Sequence, residues 1–429
     1  MTVNVTPPTG YDHPPPPPPP IPAEVRPRFY GRTGAFCRIA IVGALLELVT
    51  FGFYRFWLAT NIRRHLWSNT VVDGEPFEYT GRGRELLIGF LFALAILVPI
   101  YFLYFLAGVE AERRYSFASF PLLIFVYAFG QFAAYRARRY RLTRTTWKGI
   151  RFWMDGSGFG YAWRACLWGA LVYLTLGLAL PWREAALERY KMRHTYYGDL
   201  QGSFAATGWE FFKRGWWLWL LAWAPLVLFI ALVIGGAVMR DMSGTRSGKE
   251  AFEVVLGLLS TPMFFIFPAI PFIYAAFKAM EWRWWASGLR FGKLSVTSDL
   301  ENHALFASYW AAIGFTVLIF IVFLIVVGIA IAVVVAVVGE SHLNYAFKHL
   351  AQGSPLAFVL IGGYVASYFA MLLAVGTVMR IVIMRGVWQK VVSSLTVHGI
   401  AAADAVTARG EAANALGEGF ADSLDIAGF

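Results

Sequence analysis

Arg63–Gly81, RRHLWSNTVVDGEPFEYTG, is the stretch whose reading decides the rest of the chain. Within it TVVDGEPFEYT alternates apolar and polar residues on both sides of Asp73 and Gly74, and Asp-Gly is a strong signal for a two-residue turn between strands. The expectation is a small β-hairpin turning at Asp73-Gly74, entered from a basic aromatic helix that carries Arg63, Arg64 and Trp67. A reduced form, Gly-x-x-Phe after a basic aromatic stretch, joins Gly74 and Phe77 to Gly149 and Phe152 and to Gly288 and Phe291. The basic residues ahead of it return as well, as Arg136, Arg138, Arg139 and Arg141 with Trp147, then as Arg283.

Outward from these linkers the chain is hydrophobic. Of 429 residues 58% are hydrophobic and only 15% charged, too apolar for a soluble chain of this length. Leu86–Leu106, Leu218–Met239 and Ala311–Val338 carry no charge and approach or exceed the ~20 residues needed to cross ~30 Å of hydrocarbon. By window there are about eight hydrophobic stretches, at 36–58, 86–106, 117–134, 163–180, 216–239, 254–277, 309–338 and 356–379. Pro262, Pro268 and Pro271 predict a kink in the sixth. The fold class expected is an all-α polytopic membrane protein of roughly six to eight hydrophobic helices, with short hairpin-like cytoplasmic linkers. Residues 1–28 form a proline-rich tail without the apolar core of a signal peptide, 29–395 the membrane domain, and 396–429 an acidic tail.

Two segments look like copies of one another. Gly34, Arg38, Gly43, Ala44, Leu45, Thr50, Gly52 and Trp57 align with Gly160, Arg164, Gly169, Ala170, Leu171, Thr175, Gly177 and Trp182 across a single gap. The match continues through Arg64 with Arg189 and Thr70 with Thr195, giving repeats that start near 34 and 160. If every stretch crosses, strongly basic linkers fall on opposite faces, against the positive-inside rule. If the two repeat copies are re-entrant, every strongly basic linker faces the cytoplasm, and both termini lie there in either arrangement. An inverted-topology repeat is the other way to read a copied unit.

FGFYRFW, the opening linker itself and GRELLIGF in the first unit resemble the YjgN-like family of bacterial inner-membrane proteins, as does the ending GEGFADSLDIAGF. The likeness runs from Phe29 onward. It implies an integral protein of the bacterial cytoplasmic membrane and supplies no activity or catalytic residues. His194 stands where the pattern has Asn before Thr195.

Glu47, inside a hydrophobic stretch, is the leading single candidate for function, as a proton or cation site or as a carboxyl paired with Arg38 or Arg55. Arg38 and Arg164 resist deep burial in the same way. Arg63, Arg64, Trp67, Arg136, Arg138, Arg139, Arg141, Trp147, Arg189 and Arg283 are candidates for binding anionic lipid or a partner. The seven histidines lack metal-ligand spacing, Cys37 and Cys166 sit beside apolar spans, and Gly156, Gly158 and Gly160 lack the context of a phosphate loop. No catalytic triad or cofactor motif emerges, and the net charge of +11 fits topology and lipid headgroups better than nucleic acid. The function expected first is transporter- or channel-like, for a small solute, ion or lipid; the alternative is a non-enzymatic membrane scaffold that binds anionic lipid or a partner through the basic aromatic linkers.

Overall fold

The computed structural model describes residues 24–112, 120–243, 257, 270–349, 353–411 and 422. Most of the proline-rich tail, most of the proline-bearing sixth stretch and half of the acidic ending lie outside the described residues.

Four β-hairpins are visible in the sequence order. They are β3 (Thr70–Val72) with β4 (Glu75–Tyr79), β5 (Thr145–Trp147) with β6 (Ile150–Met154), β7 (Thr195–Tyr197) with β8 (Leu200–Phe204), and β9 (Leu289–Phe291) with β10 (Leu294–Ser298). Each has a two-residue turn. Asp73-Gly74 and Lys148-Gly149 take positive φ at both positions, while the later turns begin at Gly198 and Gly292 with φ of 55° and 56°. Such left-handed turns match the twist of the strands they join.

The hairpins pair side by side. With β1 (Glu24–Val25), β2 (Arg28–Phe29) and β11 (Leu395–His398) they make one antiparallel sheet of eleven strands, ordered β1-β11-β10-β9-β8-β7-β6-β5-β4-β3-β2. Its two end strands are neighbours in the chain. Only Arg26 and Pro27 separate β1, on β11, from β2, on β3, so the sheet's ends stand no more than about 11 Å apart. The sheet therefore curls into a ring, and Val25–Phe29 serves as one bent strand that closes it.

Register shows how regular the ring is. Tyr79 pairs with Thr145, Met154 with Thr195, Phe204 with Leu289, Ser298 with Leu395, and Phe29 with Thr70. Beyond each pair the next residue donates its amide to the carbonyl before the facing strand: Tyr30 to Asn69, Thr80 to Arg144, Asp155 to His194, Ala205 to Gly288 and Asp299 to Ser394, at 2.8 to 3.0 Å. Val25 sits on Val397 as Ile150 sits on Trp147. The ring thus has five hairpin positions, the fifth assembled from strands near the two chain ends. All turns lie on one rim and all helix junctions on the other.

Side chains from every unit fill the ring. Val72, Trp147, Tyr197 and Val397 are buried there with Phe291, each the third residue of its strand, as strand alternation requires. Ile400 and Ala403 of a 3₁₀ turn (Ile400–Ala403), and Val406 beyond it, complete this core.

Helices depart from the junction rim. They are α1 (Thr33–Val49) and α2 (Arg55–Ser68); α3 (Gly83–Glu112) and α4 (Phe120–Thr143); α5 (Gly158–Leu174) and α6 (Leu180–Arg193); α7 (Gly208–Ser243) and α8 (270–288); then α9 (Phe306–Val338), α10 (Glu340–Lys348), α11 (Pro355–Val378), a π-helical segment (Met379–Arg385) and α12 (Gly386–Ser393). Among the described residues three helical stretches are long and apolar enough to cross a membrane: Gly83–Leu106, Phe306–Val338 and Pro355–Ser393.

The expected all-α architecture of six to eight hydrophobic helices is thereby corrected. The linkers are strands of a single sheet, and the stretches at 36–58 and 163–180 each break into a helix, a turn and the start of a second helix. At Thr50 and Thr175 the breaks are alike. Gly52 donates to Glu47 O and Gly177 to Val172 O, both at 2.7 Å, and Phe51 and Leu176 adopt φ of 50° and 51°. This is the Schellman closure of a helix, with a non-glycine residue in the left-handed position. Because α1 and α5 both have 17 residues and α2 and α6 both have 14, no gap is needed, and Arg38 falls opposite Trp163 rather than Arg164. Residues 24–28, read as tail, belong to the sheet, and 396–406 lie in a strand and the ring interior.

Candidate functional site at the helix junctions

The junction rim concentrates the polar chemistry. Three of the helices entering the sheet end at a threonine whose hydroxyl donates back to the last turn: Thr70 to Leu66 O at 2.8 Å, Thr145 to Arg141 O and Thr195 to Lys191 O at 2.9 Å. These hydroxyls satisfy carbonyls that a helix end leaves open. Two also tie neighbouring units together, since Trp388 Nε1 donates to Thr70 and Trp67 Nε1 to Thr145, both at 3.0 Å. The two indoles stack with ring centres 4.9 Å apart.

Between α2 and α4 lies a buried ionic site. Asp422 accepts from both terminal nitrogens of Arg63, one at 3.1 Å, and its Oδ1 is 3.5 Å from Arg141 Nε. Tyr79 contributes a hydroxyl 3.4 Å from Arg63. Asp422 is 2% exposed in its side chain and Arg63 8%. Burial works to lower the Arg63 pKa, but Asp422 and Tyr79 outweigh it and the net shift is upward. For Arg141 burial wins and the shift is downward. The acidic ending thus supplies the internal partner of two residues expected to bind anionic lipid or a partner.

A second cluster links α4 to α6. Glu188, buried, accepts from Arg138 Nη1 at 3.2 Å and from Lys191. Burial would raise its pKa, yet Lys191 and Arg138 hold it down at about 2. In a third, Glu85 receives Tyr140 Oη at 2.7 Å and Arg144 at 2.9 Å, joining α3 to α4. These groups fasten helix to helix, and nothing in them resembles a nucleophile with its base.

Glu47 is buried on α1, and its partner is neither Arg38 nor Arg55. Arg380, in the π-helical segment, binds it bidentately through two contacts of 3.1 Å. Arg38 is exposed, and Arg55 lies 4.9 Å from the ring centres of Phe56 and Phe90. Arg164 is exposed, donating to Gly160 O at 2.8 Å beside Tyr190.

The remaining candidates scatter. Arg64 and Arg189 are exposed, Arg64 donating to Gly81 O at 3.3 Å. Arg136 lies over Phe132, and Arg139 is half-buried on α4. Arg283 donates to Leu300 O and Asn302 Oδ1 at 3.1 and 2.9 Å. Trp147 faces the ring core with Phe77, Phe152 and Phe291. Gly74 and Gly149 occupy turns, whereas Gly288 precedes β9 and the turn there is Gly292-Lys293. Phe291 accordingly sits on a first strand, unlike Phe77 and Phe152.

From sequence reading the C-terminal segment had an acidic character and a family likeness but no site. It passes over the turn rim: Lys148 bonds Asp73 and Asp404 at 2.8 Å, and Thr407 bonds Asp199 through its amide and hydroxyl at 3.0 and 2.6 Å. A cavity of about 540 Å³ lies beside Lys148, lined by Glu75, Glu78 and Thr146 among others. Among the described residues no group of three or more His, Cys, Asp or Glu side chains is placed to hold a metal ion.

The chain is similar to the Inner membrane protein YjgN of Salmonella typhimurium strain LT2, with 30% identity over 141 residues, and to its namesake in Escherichia coli K12, with 28% over 137. Each match spans about a third of both chains. No solved structure matches. The family described as "Bacterial protein of unknown function (DUF898)" matches residues 24–423, which takes in the whole ring and every helix above, and the chain belongs to that family.

Proposed function

We propose that the protein is a non-enzymatic scaffold of the bacterial inner membrane: a β ring held against one membrane face by helical excursions. The single observation that carries this reading is the strand register, because it gathers every helix junction on one rim. An excursion that leaves and re-enters the same rim starts and finishes on the same face of the membrane. The arginines of that rim support a cytoplasmic position for it under the positive-inside rule, and on this reading both chain ends lie on that side. On this reading α1–α2 and α5–α6 are two copies of one re-entrant unit. The packed interior favours a platform over a pore along the ring axis. Exposed Arg64 and Arg189 are then available to anionic headgroups.

Transport of a small solute, ion or lipid is the second reading. Its support is the buried Glu47–Arg380 pair at a π-helical segment, a distortion often found where helices do work.

The test is cysteine accessibility in intact cells with Cys37 and Cys166 replaced by Ser. Single cysteines go at Glu75, Lys148, Gln201 and Lys293, one in or beside each hairpin turn. All four should label only after the membrane is opened. Labelling of some from outside and others from inside refutes the one-faced ring.

A further inference from the structure

The tips of the two short helical hairpins are apolar and bare. At the first, Val49 is 74% and Phe51 86% exposed; at the second, Tyr173 is 83% and Leu174 77%. Below the second tip Phe159, Trp163, Leu167, Leu171 and Leu174 form one exposed stripe at helical spacing, running from the junction rim to the tip. Phe51 and Leu176 hold left-handed backbone positions where glycine is usual, so both sequences keep strain in order to present an apolar side chain at the turn.

The neighbouring helices fix how deep the tips reach. Leu176 O accepts from Trp219 and Trp223 of α7 at 3.1 and 2.9 Å. Trp219 lies about 16 Å along α7 from Gly208, leaving about 36 Å of that helix beyond it. The first tip meets α11 at Phe369, about 21 Å short of its far end at Pro355. Charges limit the depth as well: Arg55 begins α2, and Arg183 and Glu184 are the fourth and fifth residues of α6. Tryptophans around a carbonyl, with charges one turn away, mark the headgroup boundary. The first tip is also continuous with the exposed apolar surface of α11, which belongs to a stretch long enough to cross.

We infer that α1–α2 and α5–α6 are paired wedges seated in the ring-side leaflet alone, and that they draw the protein to membrane that is convex on the ring side. This rests on the one-faced ring proposed above. Their occupant is the headgroup and upper acyl region of one monolayer. Apolar volume added to one leaflet without a counterpart in the other expands that leaflet, and curvature or packing defects relieve the mismatch.

The experiment reconstitutes the full chain, labelled at Lys293→Cys in a Cys37→Ser/Cys166→Ser background, into small and large phosphatidylethanolamine–phosphatidylglycerol vesicles. An impermeant quencher separates ring-outward from ring-inward molecules. Ring-outward molecules should show higher surface density on small vesicles than on large, and ring-inward molecules the reverse. In the variant Val49→Ser/Phe51→Ser/Tyr173→Ser/Leu174→Ser that contrast should be lost. Equal densities for both orientations, or an unchanged contrast in the variant, overturns the inference. A spin label at Phe51→Cys or Leu176→Cys gives an independent reading, and a depth beyond the bilayer midplane overturns it equally. Disagreement in sidedness among the four turn cysteines would instead remove the one-faced ring.

Discussion

Replacing Asp422 by Asn deprives Arg63 and Arg141 of the carboxylate they share. That carboxylate takes both terminal nitrogens of Arg63, lies 3.5 Å from Arg141 Nε and is 2% exposed. Removing one member of a buried, hydrogen-bonded charge pair costs about 3–5 kcal/mol. At about 1.4 kcal/mol per tenfold, the population with the chain end released rises by roughly two to three and a half orders of magnitude. The assay is digestion of the purified full chain by a carboxypeptidase, which must stall at docked Asp422. When docking is fast, the digestion rate follows the released population. The rate past position 422 should therefore rise at least about a hundredfold in Asp422→Asn. A cycle with Arg63→Met should show strong coupling, because the second substitution removes the charge that the first leaves buried. Rates for Asp422→Asn within about threefold of the parent would refute the reasoning, since they correspond to less than about 1 kcal/mol.

Glu188 offers a pH test. Burial alone would raise its pKa, but Lys191 and Arg138 hold it at about 2, against an ordinary value of 4.5. The resulting stabilisation, of order 3 kcal/mol, is fully present above pH 4.5 and lost as pH falls toward 2. Glu188→Gln should remove it and flatten that acid limb in denaturant unfolding; a retained limb would assign it to other groups. Thr70→Val deletes the bond to Leu66 O and the acceptor of Trp388 Nε1, and should lower unfolding stability by about 1–3 kcal/mol. Glu47→Ala should destabilise more than Glu47→Gln, which keeps a hydrogen-bond acceptor for Arg380, and thermal unfolding in detergent ranks the two. Under the transport reading Glu47→Gln also alters flux in folded protein, and unchanged flux removes that reading's leading residue.

The first hairpin was legible because Asp73-Gly74 is a local signal flanked by alternation. The sheet was not, because pairs such as Tyr79 with Thr145 are made between separate hairpins and leave no local trace. First strands such as Thr145–Trp147 are three residues long, too short for alternation to stand out beside long apolar runs. Gly288 misled for a related reason: Gly-x-x-Phe recurs there, but the turn glycine is Gly292, four residues on. Glu47 was recognisable as costly in its setting. Its partner was not, since Arg380 is 333 positions away and nearby arginines offered themselves first. Arg63 and Arg141 were read among the cations for anionic lipid or a partner, and only the fold brings Asp422 to them.

The split fifth unit bears on how the chain is made. Val25–Phe29 leaves the ribosome early and can pair with β3 within moments, but its other edge waits for Leu395–His398. At about 5–20 residues per second the wait is roughly twenty seconds to a minute, during which the intervening helices are synthesised. An unpaired strand edge exposed that long invites pairing with another nascent chain. Arg26 and Pro27 stand in the middle of that strand, one charged and the other without an amide to donate. They make the waiting edge a poor template for a stranger, while Glu24 and Val25 still pair with β11 when it arrives.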